Sequence, residues 1–383
     1  MANVPPQELK YWLALARINR IGSVRAGLLD AHFSSMEEAW KASASELMAA
    51  GLDRGTVSSI VAGRAEIDPD AELEGLQKSG VQAYCWRDDE YPPRLKEVDD
   101  RPPVLFVRGT LLPDDEWAVA IVGTRRATPY GRQAAEQFGG DLARHKITIV
   151  SGLARGIDAV AHRAALAAGG RTVAVLACGL DLVYPPEHAK LAQEILQHGC
   201  LVSDYPVGTQ PRSEYFPRRN RILSAMSLGV LVVEGDVDSG ALITARMALD
   251  QNREVFAVPG SIYSPTYRGA NKLIRDGEAK LVANAEDILE ELNLTMATHQ
   301  MELGEIVPVD PTEARLLKVI SNQPIHIDEV QRASGLPIST VSGALAMLEL
   351  KGVVKQIGPM NFVRSLAPSV QVRETGAVYS TQN

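Results

Sequence analysis

The chain is poor in cysteine and in aromatic residues, and each shortage narrows what it can do. Its three cysteines, Cys85, Cys178 and Cys200, are odd in number and form no CxxC pair, so the sequence predicts neither a disulfide framework nor a zinc site. No metal and no other cofactor is therefore expected. Aromatic residues make up only 5% of the chain, which limits how many side chains could stack on the bases of a nucleic acid.

Long hydrophobic runs and an excess of positive charge are also missing. No apolar stretch approaches the roughly 18 residues of a membrane helix, and residues 1–20 mix charged and apolar residues in a way that no secretory signal does. We therefore expect a cytoplasmic protein that does not enter a membrane. The 39 Lys and Arg against 47 Asp and Glu leave a net charge of −8, which excludes a globally basic nucleic-acid coat but allows a local basic cleft.

At 383 residues the chain is long enough for two or three domains of roughly 150 residues each. The first, residues 1–67, has apolar residues at helical spacing and is predicted to be a small all-helical domain. Within it, residues 19–29 place Gly22 at a tight turn between two helices. This is typical of a helix-hairpin-helix, whose backbone N–H groups can meet a phosphate. A small helical bundle with an ordinary glycine turn explains the pattern equally well.

Residues 68–293 form the second predicted domain, in which short apolar strands alternate with helices. Most of the strands are continuous apolar runs, as strands covered on both faces are. The alternation predicts an α/β fold with a Rossmann-like, doubly wound and mostly parallel sheet. Strands are predicted at residues 81–86, 104–107, 118–122, 147–150, 172–176, 201–203, 230–233 and 254–258, and helices at 130–144, 157–168, 187–197 and 242–251.

The last part of the chain is predicted to hold a third domain. Residues 294–309 have no periodicity and are interpreted as a linker, and residues 367–383 as a disordered tail. Between them, residues 310–366 contain three predicted helices, at about 311–321, 326–333 and 338–350, followed by a hairpin at 352–363, which is the order of a winged helix. Six basic and five acidic residues between Asp310 and Arg364 leave duplex binding and protein binding equally open for this domain.

Three turns that follow predicted strands carry arginine, at residues 123–129, 151–158 and 213–221. In a doubly wound sheet the ligand site lies beyond the carboxyl ends of the strands. We therefore expect these turns to converge on one edge of the domain.

The third of these turns has an unusual charge pattern. Pro217 is predicted to occupy the first helical position, so that Arg218, Arg219 and Arg221 crowd the first turn, where cations oppose the helix dipole. A bound anion explains the arrangement, and so would ion pairs with a sheet-edge carboxylate such as Asp204. The preceding Phe216 has two interpretations as well, either a platform for a base or a buried helix-entry staple.

Enzyme-like patterns are weak. Ser151, Asp158 and His162 lie close in the sequence, but Asp158 and His162 are four residues apart on one predicted helix and are interpreted as a helix-surface pair. No G-x-S-x-G elbow, Walker loop or dinucleotide fingerprint is present. No catalytic residue and no metal ligand is therefore predicted.

A series of short motifs runs through the central domain. In this order they closely resemble the DNA-processing protein A family, also called DprA or Smf, over about residues 91–292. The motifs are Ile121-Val122-Gly123-Thr124-Arg125, then 149–158 (IVSGLARGID) with Ala161-His162, Gly179-Leu180-Asp181 with Tyr184-Pro185, 216–222 (FPRRNRI), Val232-Val233-Glu234, 239–245 (SGALITA) and Val258-Pro259-Gly260.

The resemblance implies an extended Rossmann-like domain that binds single-stranded DNA without strong sequence preference. Family members dimerise, contact RecA and help it to displace single-strand-binding protein in natural transformation. Many carry an N-terminal domain of the SAM or helix-hairpin-helix type and a C-terminal winged helix. We accordingly expect a non-enzymatic recombination mediator with single-stranded DNA, RecA and single-strand-binding protein as partners. A homodimer is expected too, formed by the Rossmann-like domain and supported by the apolar residues between Leu242 and Leu249.

The same resemblance implies which residues meet the DNA. Arg125 and the 216–221 segment would form the pocket, and the 151–156 turn would supply backbone donors. The expected sheet topology independently predicts that Arg125, Arg219 and Arg221 act together at one anion pocket. Removing one of these arginines should leave folding nearly intact, because it removes a charge that opposes the helix dipole. The full predicted set is Gly123, Thr124, Arg125, Ser151, Gly152, Arg155, Gly156, Lys190, Phe216, Arg218, Arg219, Asn220, Arg221, Ser239 and Gly240.

Two other functions compete with this prediction. A Rossmann-like nucleotide phosphoribohydrolase would need a P-G-G-x-G-T-x-x-E loop, which residues 258–261 echo only faintly. A winged-helix transcription regulator with a sensor domain would need sequence-specific binding to duplex DNA.

Overall fold

The protein is represented by a computed structural model that describes residues 4–294, 310–320, 325–350, 354–356 and 360–364. The chain divides into two compact units, residues 1–292 and 293–383. The predicted linker at 294–309 lies outside the described residues except for its first residue, Leu294, and so does the predicted tail at 367–383.

Six helices open the first unit. Several begin at a Ser or Asp whose side chain accepts a backbone N–H of the first turn, which satisfies a donor that the helix itself leaves free. Their core is built around Trp12, Leu29 and Ile60 and is continuous with one face of the following sheet. The helices are α1 (Pro6–Arg17), α2 (Ser23–His32), α3 (Met36–Lys41), α4 (Ala44–Ala49), α5 (Arg54–Glu66) and α6 (Pro69–Lys78).

The central sheet has nine strands with helices on both sides. The strands are β1 (Gln82–Cys85), β2 (Val104–Gly109), β3 (Ala118–Gly123), β4 (Thr148–Ser151), β5 (Thr172–Val175), β6 (Gly199–Ser203), β7 (Gly229–Glu234), β8 (Glu254–Ala257) and β9 (Lys280–Leu281). The helices are α7 (Pro93–Lys96), α8 (Pro129–Arg144), α9 (Ile157–Ala167), α10 (Ala189–His198), α11 (Tyr215–Ala225), α12 (Gly240–Asp250), α13 (Arg268–Arg275) and α14 (Ala285–Glu291).

The strand order is β1-β2-β6-β5-β4-β3-β7-β8-β9, and all pairs from β6 to β9 are parallel, whereas β1 pairs with β2 and β2 with β6 in antiparallel fashion. The predicted doubly wound α/β fold and its eight strands are thus confirmed. β4 to β7 are buried along their whole length, which is why they are continuous apolar runs in the sequence. β9 was missed because its two residues are exposed at the sheet edge.

This strand order places a crevice beside β3. The chain winds from β3 through β4 and β5 to β6, and then crosses back to place β7 on the other side of β3. Such a reversal leaves a gap beyond the carboxyl ends of the two strands, which is where ligands bind in folds of this class.

The second unit is a winged helix, as predicted. Its core contains Leu316, Val330, Val341 and Leu348, and Gly335 ends the second helix in the left-handed conformation, at a φ of 65°. The first helix ends earlier than expected and β10 was not predicted, since a two-residue strand has no readable period. The elements are α15 (Pro311–Leu317), β10 (Ile325–His326), α16 (Ile327–Ser334), α17 (Ile338–Leu350), β11 (Val354–Gln356) and β12 (Asn361–Arg364), with sheet order β10-β12-β11.

Within the described ranges, no helix is both long enough and apolar enough to span a bilayer.

Candidate functional site

A cavity of about 430 Å³ opens at the crevice beside β3, and we call it the switch-point cavity. It is formed by the end of β3 with the turn that follows, the first turns of α11 and α12, and part of the 151–158 turn. Its lining residues are Val122, Gly123, Thr124, Arg125, Arg126, Ala154, Asp158, Ser213, Phe216, Pro217, Arg219, Asn220, Leu223, Ser239, Gly240, Ala241 and Thr244.

The turn after β3 is fixed by close backbone contacts. The Thr124 N–H donates to the Glu234 carbonyl oxygen at 2.7 Å, and the Thr124 carbonyl oxygen accepts from the Ile157 N–H. Gly156 has a φ of 79°, and a Cβ there would lie 2.3 Å from the Thr124 carbonyl oxygen. Only glycine fits this position, so the packing of Gly156 determines where Arg125 stands.

Arg125 and Phe216 meet at the mouth of the cavity. The guanidinium carbon of Arg125 lies 5.2 Å from the centroid of the Phe216 ring, and the Tyr184 ring centroid is 5.5 Å from the same ring. Arg125 and Arg126 are exposed and form no ion pair with any residue that the structure describes. Phe216 is half-buried, so it is not the fully covered helix-entry staple that was one of its two interpretations.

Arg219 is the buried cation of the site, with a relative exposure of 4%. Its Nη1 donates to the Gly152 carbonyl oxygen at 3.0 Å and its Nε to Asn220 Oδ1 at 3.3 Å. Burial lowers the pKa of Arg219 to about 10, which still leaves the guanidinium charged at neutral pH. Arg219 is therefore part of the interior packing, which argues against the expectation that its removal leaves folding nearly intact.

The 151–156 turn is occupied by an internal acceptor. Asp158 Oδ2 accepts the Gly152 N–H at 3.1 Å and the Ala154 N–H at 3.3 Å, and Ser151 is buried and donates to the Ile121 carbonyl oxygen. Burial raises the pKa of Asp158, and the nearby charge of Arg219 acts against that rise. The prediction that this turn offers its backbone donors to a ligand is corrected here, because Asp158 already binds two of them.

Two helix N-termini face the cavity. Ser239 precedes α12 without capping it, and its Oγ is buried with no hydrogen-bond partner among the described residues. α11 begins at Tyr215, so Pro217 is its third residue and not its first as predicted. The start of α12 contributes free N–H groups, whereas in α11 the Tyr215 N–H donates to the Arg212 carbonyl oxygen and Pro217 has no N–H. Both termini contribute a partial positive charge.

The predicted trio of Arg125, Arg219 and Arg221 does not share one pocket. Arg221 lies outside the switch-point cavity and pairs with Asp204 at 2.6 Å, with a further bond to the Asp100 carbonyl oxygen. The alternative interpretation, an ion pair with Asp204, is therefore correct for Arg221. The reason is helical geometry, because residues two apart on an α-helix point about 200° apart.

Three other predicted cations lie away from the cavity lining, and so do Ser151, Gly152 and Gly156. Arg218 is exposed on the Arg221 side of α11. Arg155 forms an exposed ion pair with Glu187, and the Lys190 side chain is 91% exposed, with Glu194 Oε1 3.8 Å away.

The sequence analysis missed several lining residues. Arg126 follows Arg125 in the same turn and could have been included on that ground. Thr244 lies one helical turn after Gly240, and the helical period alone would have found it. Ser213 precedes α11 with no sequence signal that separates it from other loop serines.

Asp158 and His162 are not the helix-surface pair that was predicted, since both are buried. His162 Nδ1 is 2.6 Å from Thr172 Oγ1, and burial lowers the pKa of His162 to about 3. With Ser151 bonded to a backbone carbonyl, these side chains form no nucleophile–base relay. The described residues contain no group of three or more His, Cys, Asp or Glu that could hold a metal.

The site thus combines cations, free backbone donors and an aromatic ring. Arg125, Arg126 and Arg219 stand against a single lining carboxylate, that of Asp158. Guanidinium groups and helix N-termini bind phosphate, and an accessible ring can stack on a base. The arrangement is suited to binding a nucleotide chain.

Comparison with known proteins gives a consistent result. The profile of the family described as DNA recombination-mediator protein A matches residues 82–293, and that of the DprA winged helix domain matches residues 305–358. Protein Smf from Synechocystis sp. is 34% identical, over 95% of this chain and 100% of its own length.

Two solved structures are also similar. The DNA processing protein A of Streptococcus pneumoniae has a TM-score of 0.64 and 33% identity, covering 76% of this chain and 98% of that one. The Helicobacter pylori protein, described by its single-stranded DNA binding mode, has a TM-score of 0.50 and 32% identity, covering 56% and 97%.

Proposed function

Because the chain belongs to the DNA recombination-mediator protein A family, we propose that it binds single-stranded DNA in the switch-point cavity and acts by binding rather than by catalysis. The contact between Arg125 and Phe216 carries this proposal. It sets a free cation beside an accessible ring, so that a phosphate and a base of one nucleotide can be held together.

The other lining groups have distinct roles in this proposal. Arg126 and the N-termini of α11 and α12 bind the neighbouring phosphates, and Ser239 Oγ, which lacks a partner among the described residues, donates to a phosphate oxygen. Arg219 holds the Gly152 turn in place, and its buried charge adds positive potential to the cavity. None of these groups reads a base edge, so binding should depend little on sequence.

The biological role that we propose is mediation of recombination in the cytoplasm. The bound strand would be protected and passed to RecA, with displacement of single-strand-binding protein, during natural transformation. The support is the resemblance of the motifs between Ile121 and Gly260 to the family. Mixing the protein with RecA and with oligonucleotide covered by single-strand-binding protein tests it, and unchanged RecA filament formation would contradict it.

We also propose a homodimer built by the Rossmann-like domain. Within α12, Leu242, Ala245 and Ala248 are buried in the core, whereas Leu249 is 39% exposed. Exposed apolar residues occur also at Tyr263, with 90% exposure, and at Leu281 on the open sheet edge. Light scattering tests the association. A monomeric mass at a protein concentration on the order of tens of micromolar would contradict it.

A titration with single-stranded and duplex oligonucleotides of the same sequence tests the central proposal. We expect tighter binding of the single strand, and a log affinity that falls linearly with log salt, with a slope near −0.7 per neutralised phosphate. A flat salt response or a preference for the duplex would contradict it.

Two further assays separate the competing functions. Release of free base from nucleoside monophosphates would favour the phosphoribohydrolase. Sequence-specific duplex binding that requires residues 310–366 would favour the transcription regulator.

A further inference from the structure

A second cavity, of about 1050 Å³, lies on the other side of α11 from the switch-point cavity. It is bounded by the turn between α1 and α2, the loop before β2, and the segment after β6. We call it the α2 groove. It belongs entirely to the first compact unit, and the function proposed above does not use it, although Arg218 and Arg221 of the 216–222 motif line it.

Helix α11 forms the wall between the two cavities. Phe216, Arg219 and Asn220 face the switch-point cavity, whereas Tyr215, Arg218 and Arg221 face the α2 groove. Residues three or four positions apart share one face of a helix, so each set marks one face of α11. An α-helix with its side chains is about 10–12 Å thick, so a chain leaving one cavity across the start of α11 enters the other.

The α2 groove is lined by more cations than carboxylates, with five arginines against Asp99, Asp100 and Asp204. α2 has ten residues, begins after Gly22, and has no side chain that caps it and no acidic residue in its first turn. Two exposed arginines, Arg20 and Arg218, line the same groove, and the Arg20 guanidinium lies beside Gly55 at the start of α5. Neither forms an ion pair with any part of the chain that the structure describes. Free N–H groups, a helix dipole and two unpaired guanidinium groups together suit a phosphate.

The floor of the groove has polar atoms that a ligand can satisfy. Tyr205 is only 8% exposed, and its hydroxyl has no hydrogen-bond partner among the described residues. The same holds for Asp204 Oδ1, whose other oxygen receives Arg221. The Tyr205 ring stacks on the Tyr215 ring at 4.3 Å. A buried polar atom without a partner costs about 1–3 kcal/mol, so the groove favours a ligand that supplies the missing bonds.

These observations restrict the ligand. An anion without a proton, such as sulfate, suits the arginines but offers no donor to Asp204. A nucleotide offers both, because its phosphate accepts from guanidinium groups and its base has N–H donors that a carboxylate can accept. A nucleotide strand also suits the position of the groove, because the start of α11 lines both cavities and one strand could occupy both.

We propose that the α2 groove is a second nucleotide subsite, into which a strand bound in the switch-point cavity continues across α11. This inference rests on the proposed function, since the strand must first occupy the switch-point cavity. In the subsite Arg20, Arg218 and the α2 N-terminus hold a phosphate, and Asp204 and Tyr205 bond to a base.

Oligonucleotides of two lengths test the inference. We would use oligothymidines of about 4 and about 16 nucleotides, the ends of the usual range of single-strand site sizes. Arg20→Ala and Arg218→Ala should each weaken binding of the longer strand by about tenfold and leave that of the shorter strand unchanged. Arg125→Ala should weaken both. Arg163→Ala is the matched control, because Arg163 is exposed on α9 and lines neither cavity.

Tyr205→Phe keeps the experiment informative if an arginine variant folds poorly. It removes a hydroxyl that has no partner among the described residues, so the melting temperature should not fall, while the longer strand should bind more weakly. An acidic peptide is the competing occupant, and polyglutamate is the probe for it. The inference would be overturned if polyglutamate bound the wild type but not Arg218→Ala, and did not compete with the longer strand.

The two proposals fail in different ways. If the wild-type protein binds neither strand, the proposed function is wrong. If it binds both, but the Arg20, Arg218 and Tyr205 variants match Arg163→Ala on the longer strand, the proposed function stands and the second subsite is wrong.

Discussion

The guanidinium of Arg125 lies over the ring of Phe216, with 5.2 Å between the guanidinium carbon and the ring centroid. The two side chains come from the turn after β3 and from the first turn of α11, which are far apart in the sequence. A cation–π contact at an exposed site contributes about 0.5–1 kcal/mol, enough to bias the orientation of both groups. In the proposed complex the contact would couple the cation that binds a phosphate to the ring that stacks on a base.

This coupling predicts a non-additive response in DNA binding. Arg125→Ala and Phe216→Ala should each weaken binding of oligothymidine by about 1–3 kcal/mol. The double variant should lose less than the sum by about 0.5–1 kcal/mol, because each single change already removes the contact between them. Fluorescence anisotropy on the four proteins of the cycle measures the coupling, with Arg163→Ala as the control. Additive losses would show that the two groups bind independently.

Arg219 should matter for stability more than Arg125 does. Arg219→Ala leaves the Gly152 carbonyl oxygen without its 3.0 Å hydrogen bond and removes the positive charge that compensates Asp158. We therefore expect the free energy of unfolding to fall by about 3 kcal/mol. Arg219→Lys should recover only part of it, since lysine lacks the planar fork. Urea unfolding compares these variants with Arg218→Ala. Because Arg218 is exposed, this variant should have an unfolding free energy within about 0.5 kcal/mol of the wild type. Equal midpoints for Arg218→Ala and Arg219→Ala would refute the structural role.

Gly156 offers a test of the backbone packing that positions Arg125. Gly156→Ala adds a Cβ 2.3 Å from the Thr124 carbonyl oxygen at a φ of 79°, whereas Gly169→Ala meets nothing within 4 Å at a φ of 73°. Both pay the left-handed cost of about 1–2 kcal/mol, so the difference in unfolding free energy reports the clash alone. We expect Gly156→Ala to be the less stable protein and the weaker DNA binder. Two equally stable variants would mean that the turn can move aside.

His162 should make the protein less stable in acid. Burial is the main cause that lowers its pKa from 6.5 to about 3, and electrostatic interactions with His188, Arg219 and Arg163 act in the same direction. The unfolded chain then takes up a proton below pH 6.5 that the folded protein does not, so stability is lost as the pH falls from 6.5 towards 3. The contribution is at most about 1.4 kcal/mol per pH unit.

Unfolding free energies measured between about pH 4 and 7 check this prediction about His162. This range covers most of the interval over which the unfolded chain binds the extra proton. His162→Gln should flatten the slope, and His145→Gln, which removes a half-buried imidazole, serves as the control. A slope unchanged by His162→Gln would assign the acid sensitivity to other groups.

Much of the fold could be predicted because its signals are local. A strand buried on both faces must be apolar throughout, so runs such as Ala118–Gly123 and Gly229–Glu234 are visible without any knowledge of their neighbours. The alternation of these runs with helices implies a doubly wound sheet, and the ends of its strands were expected to carry the site. Short exposed elements such as β9 give no such pattern and were missed.

The sequence by itself also determined which turns carry the chemistry, because arginine, glycine and an aromatic residue cluster in them. Only the tertiary structure decided what each residue does there. Arg219 and Arg221 are two positions apart, yet one is buried beneath Gly152 and the other pairs with Asp204. Adjacent sequence positions cannot show this, because a helix turns each residue by about 100° and the burial of a cation depends on which distant carbonyl or carboxylate the fold brings to it.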